Sequence, residues 1–215
     1  MGRRGCDRES EGPGQRKADT CQRHQRPARK RVHTAIIASG VDQCVERSPF
    51  DDRYASLLAD IRRLMRAAVR DAGGHEVDAR ADELFAVFEE TAAAVEAALA
   101  IQRAMRASGW PGGVDVRVRI GVHHGRPTLT DTGYVGLSVH TAARICYAAH
   151  GGQIVVSSAV RSAALGSLAD GVSLRSLGTW RFQGLREPED LYQVEAADLP
   201  ADFPPLRAVQ PGTRS

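Results

Sequence analysis

GGHEVDARADELFAVF, residues 73–88, is the stretch that decides the fold. Its two halves, His75 to Arg80 and Glu83 to Phe88, are short strand-like runs joined by a tight polar connection at Ala81-Asp82, so together they predict a hairpin. The glycines at 73 and 74 stop whatever precedes the hairpin, and what precedes it is helical. From Asp51 onward, Leu57, Leu58, Ile61, Leu64, Met65, Ala68 and Val69 recur at the three-and-four spacing of one buried face. On the other side of the hairpin, Thr91 is placed to cap a second helix. Its Val95, Ala98, Leu99, Gln102 and Met105 share a face, and Gly109-Trp110-Pro111-Gly112-Gly113 ends it.

Working outward, HTAIIAS (33–39) is an apolar, β-branched run that reads as a first buried strand. VDVRVRIGV (114–122) alternates apolar and charged residues with period two, the pattern of a strand with one polar face. The order strand, helix, strand, strand, helix, strand predicts an α+β fold with a ferredoxin-like βαββαβ core, an antiparallel sheet with helices packed on it. After a polar turn at Thr130 to Gly133, Leu137 to Ala149 reads as a helix stopped by His150-Gly151-Gly152, and Gln153 to Val156 as a strand. Val172 to Phe182 and Asp190 to Glu195 read as a closing antiparallel pair around Gly184 to Pro188. Such a core hosts unrelated activities, so the pattern alone names no function.

Composition sets the boundaries. The 215 residues, 42% hydrophobic, suffice for one domain with a sizeable core. Residues 1–32 hold ten Lys or Arg against four Asp or Glu, a net +6, which leaves the remainder at −3. That stretch, rich in Gly, Pro, Gln and Arg and without apolar periodicity, reads as a basic disordered tail. It lacks the interleaved aromatics of a specific nucleic-acid binder, so no such partner is expected. The domain is expected over 33–197, followed by a Pro-rich C-terminal tail over 198–215. Cys6, Cys21, Cys44 and Cys146 show neither CxxC nor CxxxC spacing, which points to reduced structural thiols rather than a zinc site or disulfide framework. No run approaches eighteen apolar residues and no apolar signal core follows the basic start, so the expected location is cytoplasmic, away from membranes.

Four segments, GGHEVDARADELFAVF (73–88), VRVRIGVHHG (116–125), YVGLSVHTAARICYAAHGGQIVVS (134–157) and LGTWRFQGLREPEDLYQV (177–194), arrive in an order and spacing that resembles the class III adenylate/guanylate cyclase catalytic domains. The likeness covers roughly residues 34–194. It implies a dimer, homodimeric or formed with another cyclase domain, whose sites lie between protomers. It also implies a nucleoside triphosphate as ligand, cyclised with release of pyrophosphate. In that chemistry two Mg or Mn ions, held by two carboxylates at strand ends, bridge the phosphates, and an Asn and an Arg stabilise the transferred phosphoryl group.

Carried over residue by residue, the resemblance leaves gaps. The hairpin carboxylate of the family's G-D-G-F motif falls on Asp82, the metal-ligand candidate, with Glu83 in place of the following glycine. The other metal-binding Asp would stand at Gly40, with Asp42 two residues on as the one nearby substitute. The base-reading Lys position is Asp78 and its partner position Gly133; Lys17 and Lys30, both in the tail, are the chain's only lysines. The helix signature V-N-x-A-A-R reads Val139-His140-Thr141-Ala142-Ala143-Arg144, which keeps Arg144 and puts His140 for the Asn. Arg144 and His140 are therefore the catalytic candidates, while His123 and His124 have no assigned role. Two readings remain open: a catalytically impaired domain with a regulatory or dimerising role in cyclic-nucleotide signalling, and an active adenylate cyclase making cyclic AMP with a non-standard site.

Overall fold

The computed structural model describes residues 34–43, 52–80, 82–131, 133–207 and 210–211. The basic tail and Cys6, Cys21 and Cys44 lie outside them. Strand β1 (Thr34–Gln43) is followed by helix α1 (Asp52–Asp71), the hairpin strands β2 (His75–Arg80) and β3 (Glu83–Phe88), helix α2 (Thr91–Ala107) and strand β4 (Arg117–Gly125). These strands lie in the order β4-β1-β3-β2, and each neighbouring pair is antiparallel. That is the expected βαββαβ core.

The chain then adds a small hairpin, β5 (Thr128–Thr130) with β6 (Gly133–Val135), and helix α3 (Leu137–Ala148). Strand β7 (Ile154–Ser157) runs parallel to β4, a pairing that needs a crossover, and α3 is that crossover. A short helix α4 (Ser158–Ala163) and strands β8 (Val172–Arg181), β9 (Glu189–Ala196) and β10 (Gln210–Pro211) complete an eight-stranded sheet. No helix among the described residues is long and apolar enough to cross a membrane.

The period-two pattern sorts side chains to the two faces of the sheet. Ile37, Val118, Ile120 and Val122 join α1 and α2 in the main core, where Ile61, Met65, Val95 and Leu99 are at most 2% exposed. Ile36 and Val87 face the other way, onto Ala142 and Cys146 of α3. At Gly121 the backbone of α3 lies directly on the strand: an added methyl group would sit 2.3 Å from the Cys146 backbone nitrogen. The helix is thus seated where β4 has no side chain, which fixes how the residues along α3 meet the sheet.

Two expectations are corrected, the Thr91 cap and the start of β4, and two further segments gain detail. Thr91 does not cap α2; it is the first helical residue, Glu90 holds the cap position without a side-chain bond, and the Thr91 hydroxyl is 2.9 Å from His124 Nδ1. β4 begins at Arg117 after a one-turn 3-10 helix at Pro111–Gly113, later than the alternating pattern suggests. The expected polar turn at 130–133 is the tip of the β5–β6 hairpin. Within the Pro-rich segment, residues 198–207 lie against the domain. Asp198 pairs with Arg103 at 2.7 Å, the Arg207 backbone N–H donates to the Ala148 carbonyl at 2.9 Å, and Leu206 is buried.

Candidate functional site

Between the β2–β3 hairpin, the end of β6 and α3 lies a cavity of about 610 Å³. Apolar walls come from Ile36, Val77, Phe85, Tyr134 and Val139, and the polar groups are Asp78, Glu83 and His140. Gly133 adjoins it in a left-handed conformation, φ 112°, with its missing Cβ position 3.6 Å from a Val77 methyl. The structure therefore gathers four positions singled out in the sequence, 78, 83, 133 and 140, around one crevice. Neither Asp82 nor Arg144 lines it: Asp82 is half-buried at the hairpin turn, and Arg144 is exposed one turn beyond His140 on α3. A larger cavity, about 800 Å³, opens between the end of α2, the start of β4 and residues 200–207, and it contains none of these positions.

Glu83 links the crevice to a neighbouring group that is set by strand register. Gly40 on β1 stands opposite Glu83 on β3 and opposite Arg119 on β4. A Cβ at Gly40 would be 3.6 Å from Arg119 Nε and 3.8 Å from Glu83 Cγ, ordinary contact distances. The Arg119 guanidinium lies 4.8 Å from the centre of the Tyr147 ring on α3, a cation–π arrangement. The Tyr147 hydroxyl in turn donates to the Glu83 carboxylate. That bond, ahead of partial burial, raises the Tyr147 phenol above its ordinary pKa. β1 continues through residue 42, but its pairing with β4 shifts between Val41 and Gln43, and the side chain of Asp42 lies outside the described residues.

This donor set does not fit a two-ion cradle. Position 40 offers no side-chain oxygen, the carboxylate across from it is engaged by a tyrosine, and the guanidinium beside it repels a divalent ion. Among the described residues, no group of three or more His, Cys, Asp or Glu side chains gathers as a ligand set. Arg119 and Tyr147 escaped the sequence reading. The alternation of VDVRVRIGV assigns Arg119 to the face shared with Gly121, away from the main core, but only the register reveals what lies opposite.

The two histidines at the end of β4 also acquire partners. His123 Nδ1 lies 2.9 Å from the buried Ser157 hydroxyl, and burial, with a smaller effect of His124, lowers the His123 pKa from 6.5 to about 4. The ring is therefore neutral at physiological pH and ties β4 to β7, while His124 ties β4 to α2 through Thr91.

No protein-family model matches the chain. It is 33% identical over 158 residues to the uncharacterized protein Rv0891c of Mycobacterium tuberculosis, covering 73% of this chain and 53% of that protein. The chain thus spans about half the length of the curated relatives it matches. Among solved structures, it resembles an adenylate/guanylate cyclase/hydrolase from Silicibacter pomeroyi, with 27% identity, a TM-score of 0.66, and coverage of 79% of this chain and 99% of that one. It also resembles an adenylate cyclase of Trypanosoma brucei solved as a monomer, with 21% identity, a TM-score of 0.68, and coverage of 81% and 94%. The chain therefore has the fold of the class III adenylate/guanylate cyclase catalytic domains.

Proposed function

We propose that this chain is a class III cyclase-homology domain whose catalysis is impaired, and that it acts in cyclic-nucleotide signalling through dimerisation or nucleotide binding. The observation that carries the reading is the register of Gly40: the position that would supply a metal carboxylate has no side chain and stands between Arg119 and Glu83. Phosphoryl transfer to a ribose hydroxyl depends on charge neutralisation by bound ions, and a lost transition-state contact of about 3 kcal/mol slows turnover roughly a hundredfold. The other replacements compound this. Asp78 puts an acceptor where an adenine-reading donor is expected, and His140 differs in reach and protonation from the Asn it replaces. Arg144 and Asp82 are the retained parts: Arg144 is assigned here to phosphoryl stabilisation, while Asp82, the single acid kept of the family's Mg or Mn pair, does not hold an ion by itself.

Partnership follows from the same incompleteness. The proposed assembly is a homodimer or a heterodimer with another cyclase domain, located in the cytoplasm. Domain limits of 33–197, a basic tail before them and a Pro-rich segment after them complete the reading.

The test is cyclic-product formation by the purified chain with Mn²⁺ and either ATP or GTP. Product at the level of the enzyme-free control is expected. Robust product that disappears on Asp82→Ala contradicts impairment and favours an active adenylate or guanylate cyclase with a non-standard site.

A further inference from the structure

We propose that the Arg119 guanidinium, and not the missing carboxylate alone, excludes divalent cations from this crevice. The inference rests on the reading that residue 40 marks the place of the family's ion cradle, and it names the residue that controls that place. Two contacts hold Arg119 there, and a third distance shows the space that it fills. Its Cα is paired with that of Gly40 across β1 and β4, its guanidinium stacks on Tyr147 at 4.8 Å, and its Nε fills the space 3.6 Å from where a residue-40 Cβ would stand. Tyr147 holds Glu83 as well, so the aromatic ring and hydroxyl bridge a cation and an anion at the mouth of the strand pair. An ion approaching Asp82 and Glu83 meets a fixed like charge and must also displace the phenol.

The chemical consequence is specific. A carboxylate introduced at residue 40 is sterically allowed, since every neighbour of the added Cβ is a side-chain atom at 3.6 Å or beyond. It lands against Arg119 and forms an ion pair instead of a metal site. Restoring the missing acid is then insufficient; the arginine must also go.

Manganese titration followed by electron paramagnetic resonance tests this on the full chain, with wild type, Gly40→Asp, Arg119→Gln and the double variant. Wild type and Gly40→Asp are expected to leave the free-ion signal unchanged at micromolar Mn²⁺. Gly40→Asp is also expected to raise the thermal midpoint in a way that Arg119→Gln removes. The double variant is expected to bind one ion at least tenfold more tightly than Gly40→Asp, and to lose it on addition of Asp82→Asn. Gly40→Asp binding as tightly as the double variant, or wild type already binding Mn²⁺ through Asp82, overturns the proposal. Should the double variant not fold, Arg119→Gln alone decides: its Mn²⁺ affinity must exceed that of wild type, and equal affinities overturn the proposal. Product formation tests the proposed function and manganese binding tests the role of Arg119, so each can fail without the other.

Discussion

Gly121→Ala destabilises the domain by about 3 kcal/mol, the upper end of the usual cost of adding a methylene to a packed interior. The added methyl would lie 2.3 Å from the Cys146 nitrogen, 2.7 Å from the Ala142 carbonyl oxygen and 2.8 Å from the Cys146 Cα. All three are backbone atoms of α3, so no side-chain rotation relieves the overlap and the whole helix must move off β4. That displacement also moves His140, Arg144 and Tyr147, and weakens the contact of Cys146 Sγ with the Arg119 carbonyl at 3.5 Å. Gly109→Ala is the control, because nothing lies within 4 Å of its added methyl and surface changes of this kind stay within about 0.5 kcal/mol. Urea denaturation midpoints measure both. Equal stability of Gly121→Ala and wild type contradicts the seating of α3 on bare strand backbone.

Acid destabilises the fold above the range in which carboxylates titrate, and His123 is the cause. Its pKa is lowered from 6.5 to about 4, first by burial and then by His124. Between those values the unfolded chain binds a proton that the folded chain refuses, so stability is full above pH 6.5 and falls as the pH drops toward 4. At 1.36 kcal/mol per pKa unit, the loss approaches about 3 kcal/mol. The carboxylates act lower: Glu76, held below its ordinary 4.5 chiefly by its hydrogen bond from Arg66, contributes stability that is lost only as the pH falls below that value. Denaturation curves at pH 7.5, 5.5 and 4.5 are therefore expected to show a steep decline that His123→Asn largely removes, since Asn keeps a polar atom near Nδ1 without titrating. The same slope in the variant contradicts the assignment.

The parts of the fold that could be read in advance are those whose signal is local. The faces of α1 and α2 follow from helical spacing, and the hairpin at 75–88 follows from two apolar runs around a polar connection. β5 and β6, at three residues each, are too short for alternation to register, and the six-residue α4 has no room for an amphipathic repeat. The Thr91 cap that local spacing predicts does not form because the hydroxyl has a choice of partners. The one that wins, His124, lies 33 residues away, beyond any capping rule.

The site divides along the same line. Aligned motifs nominated residues 78, 83, 133 and 140, and folding brings them to one crevice because β2, β3, β6 and α3 converge there. Arg119 and Tyr147 carry no motif. Their importance comes from register across β1 and β4 and from the rotation of α3 set by Gly121, two features that only tertiary structure specifies.

The central claim is that the crevice lacks the paired acids of an ion cradle, and anomalous diffraction from crystals grown with Mn²⁺ and a non-hydrolysable ATP analogue tests it most directly. The account predicts no manganese peak between Asp82 and the β1 strand. A peak there, coordinated by Asp82 together with a second carboxylate, would contradict it.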